Sequence, residues 1–248
     1  MHTYDENYYR YITDGSLRSA EIVLPFVSQL IAVRSVVDFG AGAGAWLSAW
    51  QRLGVADVVG VDGEYVQDSA LMIPAARFVA ADLTVPVRLR RSFDLVQSLE
   101  VAEHLPPSAA RTFIRNLAAH GDVILFSAAA PGQGGEYHVN ERPYDYWRAL
   151  FDERGYAMFD PIRIHVVDDV RVEPWYRYNT FLYVNRRLVP SLTEALKSTR
   201  IAWDRPILDL SPRLYKIRKS AIRCLPTPVV TQLAVLKKHW FISRNADA

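Results

Sequence analysis

The stretch VVDFGAGAGAW, residues 36–46, constrains the fold more than any other part of the chain. Gly40, Gly42 and Gly44 alternate there, directly after an apolar run that contains Asp38. Without Cβ atoms the backbone can turn from a strand into a helix, and a ligand can contact its N–H groups. A dinucleotide fingerprint would place the third glycine one position later. An acid at the strand end suits an amine better than a pyrophosphate, so we expect a ligand with a cationic end.

Short apolar, β-branched runs alternate with helical patterns along the chain, which is typical of parallel strands joined by crossover helices. The predicted strands are Ser35–Phe39, Asp57–Val61, Arg77–Ala80, Asp94–Leu99, Val123–Ser127, Ile162–Val167 and Thr180–Asn185. The predicted helices are Ser16–Ile31, Ala45–Leu53, a segment around Tyr65–Met72, Ala109–Ala119 and Tyr144–Arg154. This order predicts an α/β fold, a three-layer α/β/α sandwich with a seven-stranded, mostly parallel sheet.

Two further acids follow predicted strands. Asp62 ends the second strand and Asp82 follows the third, at the edge where open α/β sheets bind ligands. Such acids are often turn or cap residues. Here, however, Asp62 could accept two hydrogen bonds from a ribose diol, and Asp82 could reach an adenine amino group. Together with Asp38 they describe a nucleoside that carries an amino-acid end.

As a set, these motifs resemble the class I S-adenosylmethionine-dependent methyltransferases. Asp38–Gly44 is similar to their first motif, and FDLVQSLEVAEHLPP at 93–107 to the fourth-strand motif near the methyl group. The resemblance covers Val36 to about Asn185 and implies a Rossmann-like methyltransferase fold that binds S-adenosylmethionine. It implies these cofactor contacts: Asp38, Phe39, Gly40, Gly42, Gly44, Asp62, Gly63, Asp82, Leu83 and Glu100. We also expect the N-terminal segment to fold over the cofactor, with Tyr8 or Ser19 in contact.

Three longer segments resemble a bacterial subgroup associated with polysaccharide and glycoconjugate synthesis. They are SLEVAEHLPP at 98–107, LFSAAAPGQGGEYHVNERPYDYW at 125–147 and EPWYRYNTFLYV at 173–184. This resemblance implies O-methylation of a sugar or oligosaccharide acceptor. A small-molecule O- or N-methyltransferase, a nucleic-acid methyltransferase and a non-catalytic S-adenosylmethionine-binding module remain as alternatives. We expect no nucleic-acid partner, because the body of the chain is acidic and the N/D-P-P-Y/F motif of adenine methyltransferases is missing after the fourth strand.

A sugar hydroxyl ionises far above neutral pH, so its methylation needs a base or a metal to remove the proton. His138, in the glycine-rich loop after the fifth strand, is the predicted base; His104 and Glu136 are further candidates for the catalytic role. The predicted substrate contacts are Glu103, Tyr137, Asn140, Glu141 and Tyr144. Glu100, Glu103 and Glu136 also form an oxygen set of the kind that Mg²⁺ prefers, and the sequence leaves the need for a metal open.

Charge divides the chain near Pro190. Residues 1–189 carry 18 Lys and Arg against 23 Asp and Glu, whereas residues 190–248 carry 11 against 4. This change in charge predicts a basic helical extension at 190–248. Before it we expect an N-terminal helical lid at 1–33 and a methyltransferase domain at 34–189.

The basic extension contains a predicted amphipathic helix. Leu214, Ile217, Ile222 and Leu225 would share one face of it. The extension could pack on the body of the protein, form a homodimer or contact an anionic membrane surface. A single cysteine and an N-terminus unlike a secretory signal predict a cytoplasmic protein.

Overall fold

The computed structural model describes residues 6–226 and 228–236, with backbone alone for residues 6–12 and Asp68. The strands are β1 (Ser35–Phe39), β2 (Asp57–Asp62), β3 (Phe78–Ala80), β4 (Leu95–Leu99), β5 (Val123–Ser127), β6 (Tyr156–Phe159) and β7 (Phe181–Asn185). The helices are α1 (Glu6–Leu30), α2 (Ala45–Arg52), α3 (Ala110–Ala118), α4 (Tyr144–Asp152), α5 (Pro161–Val166), α6 (Pro174–Asn179), α7 (Glu194–Lys197) and α8 (Arg213–Arg223). Residues 228–236 are also helical.

The strands form one seven-stranded sheet in the order β3-β2-β1-β4-β5-β7-β6. The pairs among β1 to β5 are parallel, whereas β7 runs antiparallel to both β5 and β6. The predicted α/β sandwich with a mostly parallel sheet and a C-terminal helical extension is therefore confirmed. The strand order reverses between β1 and β4, and open α/β sheets bind ligands beside such a reversal.

Helices cover both faces of the sheet, so the central strands are buried on both sides. Val36 and Leu95 pack with residues of α1 and α2, whereas Val37 and Val96 pack with residues of α3 and α4. This division follows from the strand period of two, which sends successive side chains to opposite faces. It also explains why these strands are nearly continuous apolar runs in the sequence.

The prediction of a strand at Ile162–Val167 is wrong. Those residues lie almost entirely in α5, and the strand that pairs with β7 is β6, just before it. Pro161 occupies the first turn of α5, where its fixed φ and missing N–H favour a helix. Ile162 and Val166 are buried while Ile164 is exposed, which is the spacing of a helix and not of a strand.

Two other predictions in the connecting segments are also wrong. The segment around Tyr65–Met72 forms turns and a short 3₁₀ helix at Asp68–Ala70 instead of an α-helix. The segment between the last two predicted strands, for which no helix was predicted, contains α6, and Pro174 occupies its first turn. The observed α1 includes residues before Ser16, where the prediction started. The remaining predicted elements agree with the structure within one or two residues.

The C-terminal extension packs on the body through α8. Arg218 Nη1 donates to the Gln133 carbonyl at 2.9 Å, and Arg223 Nε donates to the Pro131 carbonyl at 2.8 Å. Lys219 is buried and its Nζ lies 2.5 Å from Asp209 Oδ2. The two arginine contacts attach α8 to the loop that follows β5, and the Lys219 pair joins α8 to the segment just before it.

The predicted apolar face of this helix does not match its packing. Ile222 faces the body, whereas Leu214 and Ile217 are 81% and 65% exposed. The helix therefore uses a different face for docking than the sequence pattern indicated. Within the described residues, no helix combines the length and the apolar character that crossing a membrane requires.

Candidate active site

A cavity of about 1240 Å³ opens at the carboxyl ends of the parallel strands. Its walls come from the segments after β1 to β5, with further residues from α1, α6, α8 and the helix at 228–236. Pockets for one small ligand usually measure about 300–1,000 Å³. This cavity therefore has room for two ligands side by side.

The glycine loop after β1 brings bare backbone to the cavity. Gly40 has φ +88°, and a Cβ there would lie 2.2 Å from Val101 Cγ2. Gly42 has φ +52°, and its N–H donates to Asp62 Oδ2 at 2.7 Å. Glycine adopts these positive-φ conformations without strain. The hydrogen bond from Gly42 also joins this loop to Asp62 at the end of β2. Gly44 lies outside the cavity lining and caps the start of α2 with φ +82°.

Asp38 is a buried carboxylate that lines the cavity. Its Oδ2 accepts from Gln97 Nε2 at 2.8 Å, and Gln97 Oε1 accepts from Trp50 Nε1 at 2.9 Å. Within the described part of the chain, Oδ1 has no hydrogen-bond partner. Burial raises the pKa of Asp38 to about 7, and Asp62 adds to this, although the Gln97 bond lowers it. A cationic ligand would satisfy this oxygen and favour the charged carboxylate.

Asp62 is fixed by hydrogen bonds at the end of β2. Its Oδ1 accepts from the Gly63 N–H at 2.7 Å and from the Tyr65 hydroxyl, while Oδ2 accepts from Gly42. A carboxylate has about four acceptor sites, so some capacity remains for a ligand hydroxyl. A ligand that makes more hydrogen bonds to Asp62 would have to displace the hydroxyl of Tyr65, whose side chain is half exposed.

Asp82, after β3, is exposed at the cavity wall. Its Oδ1 accepts from both the N–H and the hydroxyl of Thr84, and these bonds lower the pKa of Asp82. Leu83 beside it is buried and also lines the cavity. This pair gives that wall one charged and one apolar surface.

Glu100 follows β4 in a left-handed conformation with φ +58°. Its N–H donates to Ser127 Oγ, and its Oε2 accepts from Gln133 Nε2 at 2.6 Å. Burial raises the pKa of Glu100 despite the bond from Gln133. Non-glycine residues in this conformation are uncommon and strained, and such strain is concentrated at functional sites.

His138 and Glu141 form a hydrogen-bonded pair in the loop after β5. His138 Nδ1 lies 2.8 Å from Glu141 Oε1. Glu141 also accepts from the Gly132 N–H at 2.7 Å and the Gly134 N–H at 2.8 Å. Burial would raise the pKa of Glu141, but His138 and these two N–H groups outweigh it and lower the pKa. A fixed carboxylate thus orients the imidazole, and His138 itself lines the cavity.

The chain matches a known protein family over more than half of its length. A family model described as a methyltransferase domain matches residues 4–165. The chain belongs to the S-adenosylmethionine-dependent methyltransferases. A comparison with curated proteins found no match.

Solved structures with the same fold include three of low sequence identity, KedS8, DesVI and CalS10. The sugar N-methyltransferase KedS8 from Streptoalloteichus sp. ATCC 53650 is 18% identical, with a TM-score of 0.52 over 68% of this chain and 87% of that chain. DesVI from Streptomyces venezuelae is 14% identical, with a TM-score of 0.55 over 74% and 99%. The S-adenosylmethionine-bound amino pentose methyltransferase CalS10 from Micromonospora echinaspora is 15% identical, with a TM-score of 0.53 over 75% and 99%. At these identities the similarity shows the fold alone.

The cavity of the methyltransferase fits its cofactor. The unpartnered oxygen of Asp38 suits the ammonium group of the methionine moiety, and Asp62 retains acceptor capacity for ribose hydroxyls. The side-chain-free backbone at Gly40 and Gly42 allows close approach. That Asp82 accepts a hydrogen bond from the adenine amino group remains a prediction.

The structure brings most of the predicted site residues to the wall of this cavity. They are Asp38, Gly40, Gly42, Asp62, Gly63, Asp82, Leu83, Glu100, Glu103, His104, Glu136, Tyr137 and His138. Their individual contacts with ligands remain predictions. The side chain of Tyr8 lies outside the described residues.

The side chains of five predicted residues have other positions. Phe39 is fully buried in the core, with its ring 5.2 Å from that of His120. Ser19 is buried, donates to the Gly15 carbonyl and accepts from the Glu173 N–H, so it joins α1 to the start of α6. Neither lines the cavity, which disagrees with a direct role in cofactor binding.

The other three were predicted to contact the substrate. Asn140 Oδ1 accepts from Arg142 Nε, and the Tyr144 hydroxyl donates to Asn179 Oδ1. Glu141 orients His138. None of these three lines the cavity, and each side chain is hydrogen-bonded to a neighbouring protein group.

Several residues of the site could not be predicted from the sequence. Gln97 lies opposite Asp38 in the register of β1 and β4 and donates a hydrogen bond to it. This pairing is known only from the structure. Gln133 joins Glu100 to Asn179. The C-terminal extension supplies a wall of the cavity through Arg218, Ile222, Val230, Leu233 and Ala234. Neither the spacing nor the composition of the extension indicated that contact.

One group of potential metal ligands is close together in the described residues. It consists of Glu103, His104 and His138, with one ligand atom of each within 4.8 Å of the others. This set shares only Glu103 with the carboxylates Glu100, Glu103 and Glu136 that the sequence suggested for Mg²⁺.

Proposed function

We propose that the methyltransferase transfers a methyl group to a hydroxyl of a sugar or oligosaccharide during glycan synthesis. The supporting observation is a large cavity with two chemically different ends. Asp38 and Asp62 belong to β1 and β2, whereas Glu103, His104 and His138 follow β4 and β5, so the strand order separates the two groups along the cavity. We take the first group as the cofactor end and the second as the acceptor end. Polyhydroxylated acceptors suit such a group of hydrogen-bonding side chains.

Aromatic side chains on the wall support the same class of acceptor. Trp46, Tyr65, Tyr137, Trp175 and Tyr176 line the cavity. Such rings combine apolar faces with hydrogen-bonding edges, and both features suit a sugar. Two solved structures of this fold are a sugar N-methyltransferase and an amino pentose methyltransferase, which agrees with a sugar-type acceptor.

A small-molecule O- or N-methyltransferase is the second candidate. The observation in its favour is the apolar wall that Ile222, Val230 and Leu233 contribute from the C-terminal extension. An aromatic metabolite would pack against that wall, whereas a glycan would use the polar side chains of Glu103, His104 and His138.

The reaction sets a specific task for the protein. When bound, S-adenosylmethionine supplies an electrophilic methyl group, which passes to the acceptor oxygen while the sulfonium becomes a thioether. The protein must hold the two reactants in line and remove the hydroxyl proton. Without a metal, His138 is the side chain best placed to accept that proton, because Glu141 Oε1 fixes its Nδ1 and the ring lines the cavity.

The test is transfer of radiolabelled methyl groups to a panel of oligosaccharides, phenolic metabolites and nucleic acids. We expect label in the oligosaccharide fraction. Label in the phenolic fraction would support the second candidate and refute the first. Cofactor binding without label in any fraction would refute turnover on these acceptor classes.

A further inference from the structure

A buried carboxylate stands at the acceptor end of the cavity. Glu103 is 0% exposed, and its carbonyl accepts from the N–H groups of Val139 and Asn140, which fixes its position. Burial raises the pKa of Glu103 well above its ordinary value and Glu100 adds to this, whereas the backbone N–H groups of Glu103 and Ala129 lower it. Within the described residues, neither carboxylate oxygen has a hydrogen bond of normal geometry. A buried carboxylate without a partner is costly, so this position indicates a ligand that supplies positive charge.

Two imidazoles meet beside this carboxylate. The rings of His104 and His138 lie edge to face, with centroids 4.8 Å apart and an interplanar angle of 87°. One potential ligand atom from each imidazole and one from Glu103 lie within 4.8 Å of one another. A small shift of these side chains would bring all three within bonding distance of one ion, since metal–nitrogen and metal–oxygen bonds measure about 2.0–2.2 Å.

Each imidazole is also oriented by a neighbouring group. His138 Nδ1 shares a hydrogen bond with Glu141 Oε1, and the ring of His104 packs edge to face against that of His138. Histidines that bind metals usually make such a bond to a carboxylate or carbonyl through one nitrogen, leaving the other for the ion. Glu141 is held in turn by two backbone N–H groups. This outer layer would be expected around a metal site and is not required for two solvated histidines.

The donor atoms select the type of ion. Two nitrogens and one oxygen suit divalent transition metals such as Mn²⁺ and Zn²⁺, whereas Mg²⁺ prefers oxygen ligands throughout. A site with three protein ligands keeps further positions open, as catalytic metal sites do. All three residues line the cavity, so these positions would face the acceptor.

We propose that Glu103, His104 and His138 bind a divalent transition-metal ion of the Mn²⁺ or Zn²⁺ type at the acceptor end of the cavity. Its catalytic role rests on the proposed sugar O-methylation. The ion lowers the pKa of an acceptor hydroxyl that binds to it, so that the proton passes to water and the oxygen can attack the methyl carbon. With the ion in place, His138 is a ligand, and the ion replaces it as the means of removing the proton.

The experiment measures metal binding separately from activity. The full-length protein is treated with chelator, dialysed, and titrated with Mn²⁺, Zn²⁺ and Mg²⁺ by calorimetry. We expect Mn²⁺ or Zn²⁺ to bind at one equivalent and Mg²⁺ to bind far more weakly. Glu103→Gln and His104→Gln should each weaken binding by about 100-fold or more, since loss of an outer-layer partner alone costs about 10- to 100-fold.

His165→Gln provides the matched control, because His165 is exposed and stacks on Phe26 away from this cluster. It should bind the ion as the wild type does. Thermal melting and S-adenosylmethionine affinity confirm that each variant folds, and His104 at the exposed rim provides the test if Glu103→Gln does not fold. Absence of stoichiometric binding to the wild type, or equal affinity in folded variants and wild type, would overturn the site.

Activity assays then separate this proposal from the proposed function. Stoichiometric metal binding without sugar methylation would leave the site in place and refute the sugar acceptor. Sugar methylation at full rate after metal removal would overturn the catalytic role of the ion and return the proton to His138.

Discussion

Asp38→Asn is expected to stabilise the ligand-free protein near neutral pH while weakening S-adenosylmethionine binding. Burial raises the pKa of Asp38 from its ordinary value of 3.8 to about 7, with Asp62 adding to this and Gln97 opposing it. Because the folded-state pKa is the higher one, the folded protein binds more protons between these values. The contribution of Asp38 to stability is therefore complete below about pH 4 and is lost as the pH rises through about 7.

The magnitude follows from this shift. One pKa unit corresponds to about 1.4 kcal/mol, so the full shift corresponds to about 4 kcal/mol. Between about pH 5 and about pH 8 the wild type should lose about 3 kcal/mol of unfolding free energy through this group. An asparagine does not titrate and keeps an oxygen that can accept from Gln97 Nε2. The variant should therefore lack this part of the pH dependence.

The assay is denaturant unfolding of the ligand-free wild type and variant at both pH values, followed by calorimetric titration with S-adenosylmethionine. Other buried acids titrate in both proteins, so the difference between the two pH dependences is the quantity to compare. Loss of a charge-assisted bond to the cofactor ammonium should weaken binding by about 10- to 100-fold. Identical pH dependence in both proteins would refute the buried charge at Asp38, and unchanged cofactor affinity would refute its contact with the ammonium group.

Further predictions concern the cofactor acid, the proposed base and the C-terminal extension. Asp62→Ala should abolish S-adenosylmethionine binding in calorimetry, and unchanged affinity would contradict the ribose assignment. In metal-free enzyme, His138→Ala should retain cofactor affinity while turnover falls by about 10²- to 10⁴-fold, whereas retained turnover would exclude His138 as the base. Under the same conditions Glu141→Gln should lower kcat by about 10-fold, because the imidazole loses its orienting carboxylate; an unchanged pH–rate profile and kcat would argue against that role. Gly132→Ala should destabilise the protein by about 2 kcal/mol and expose the extension to limited proteolysis, because its Cβ would lie 2.1 Å from the Lys219 carbonyl oxygen; a wild-type digestion pattern would contradict this packing.

The sequence predicted the parallel part of the sheet well because these strands carry a strong local signal. β1 and β5 have the predicted bounds, and both are short apolar runs that end at a turn or loop. The region after α4 was harder to predict. Ile162–Val167 contains enough apolar and β-branched residues for either a strand or a helix, and the packing of Ile162 and Val166 decided between them.

The candidate site was predictable to different extents at its two ends. At the cofactor end, Asp38 and Asp62 lie near the ends of the adjacent strands β1 and β2, and Gly42 follows β1, so the position of each in its βα unit was enough to bring them together. At the acceptor end, the sequence assigned Glu141 to the substrate, whereas the structure has it orienting His138. The role of a loop carboxylate depends on which N–H groups and side chains surround it, and local spacing does not specify those neighbours.

The resemblance of the sequence motifs indicated the methyltransferase class. Turn chemistry and strand periodicity, which are properties of short segments, predicted the strand ends at which Asp38, Asp62 and Asp82 line the cavity. Tertiary structure alone decided how distant segments complete the site. It places His104 against His138, and it brings Arg218 to Gln133 although the two lie 85 positions apart in the sequence. Each of these contacts depends on how whole elements pack against the sheet, since burial and long-range hydrogen bonding become fixed only when the folded layers come together.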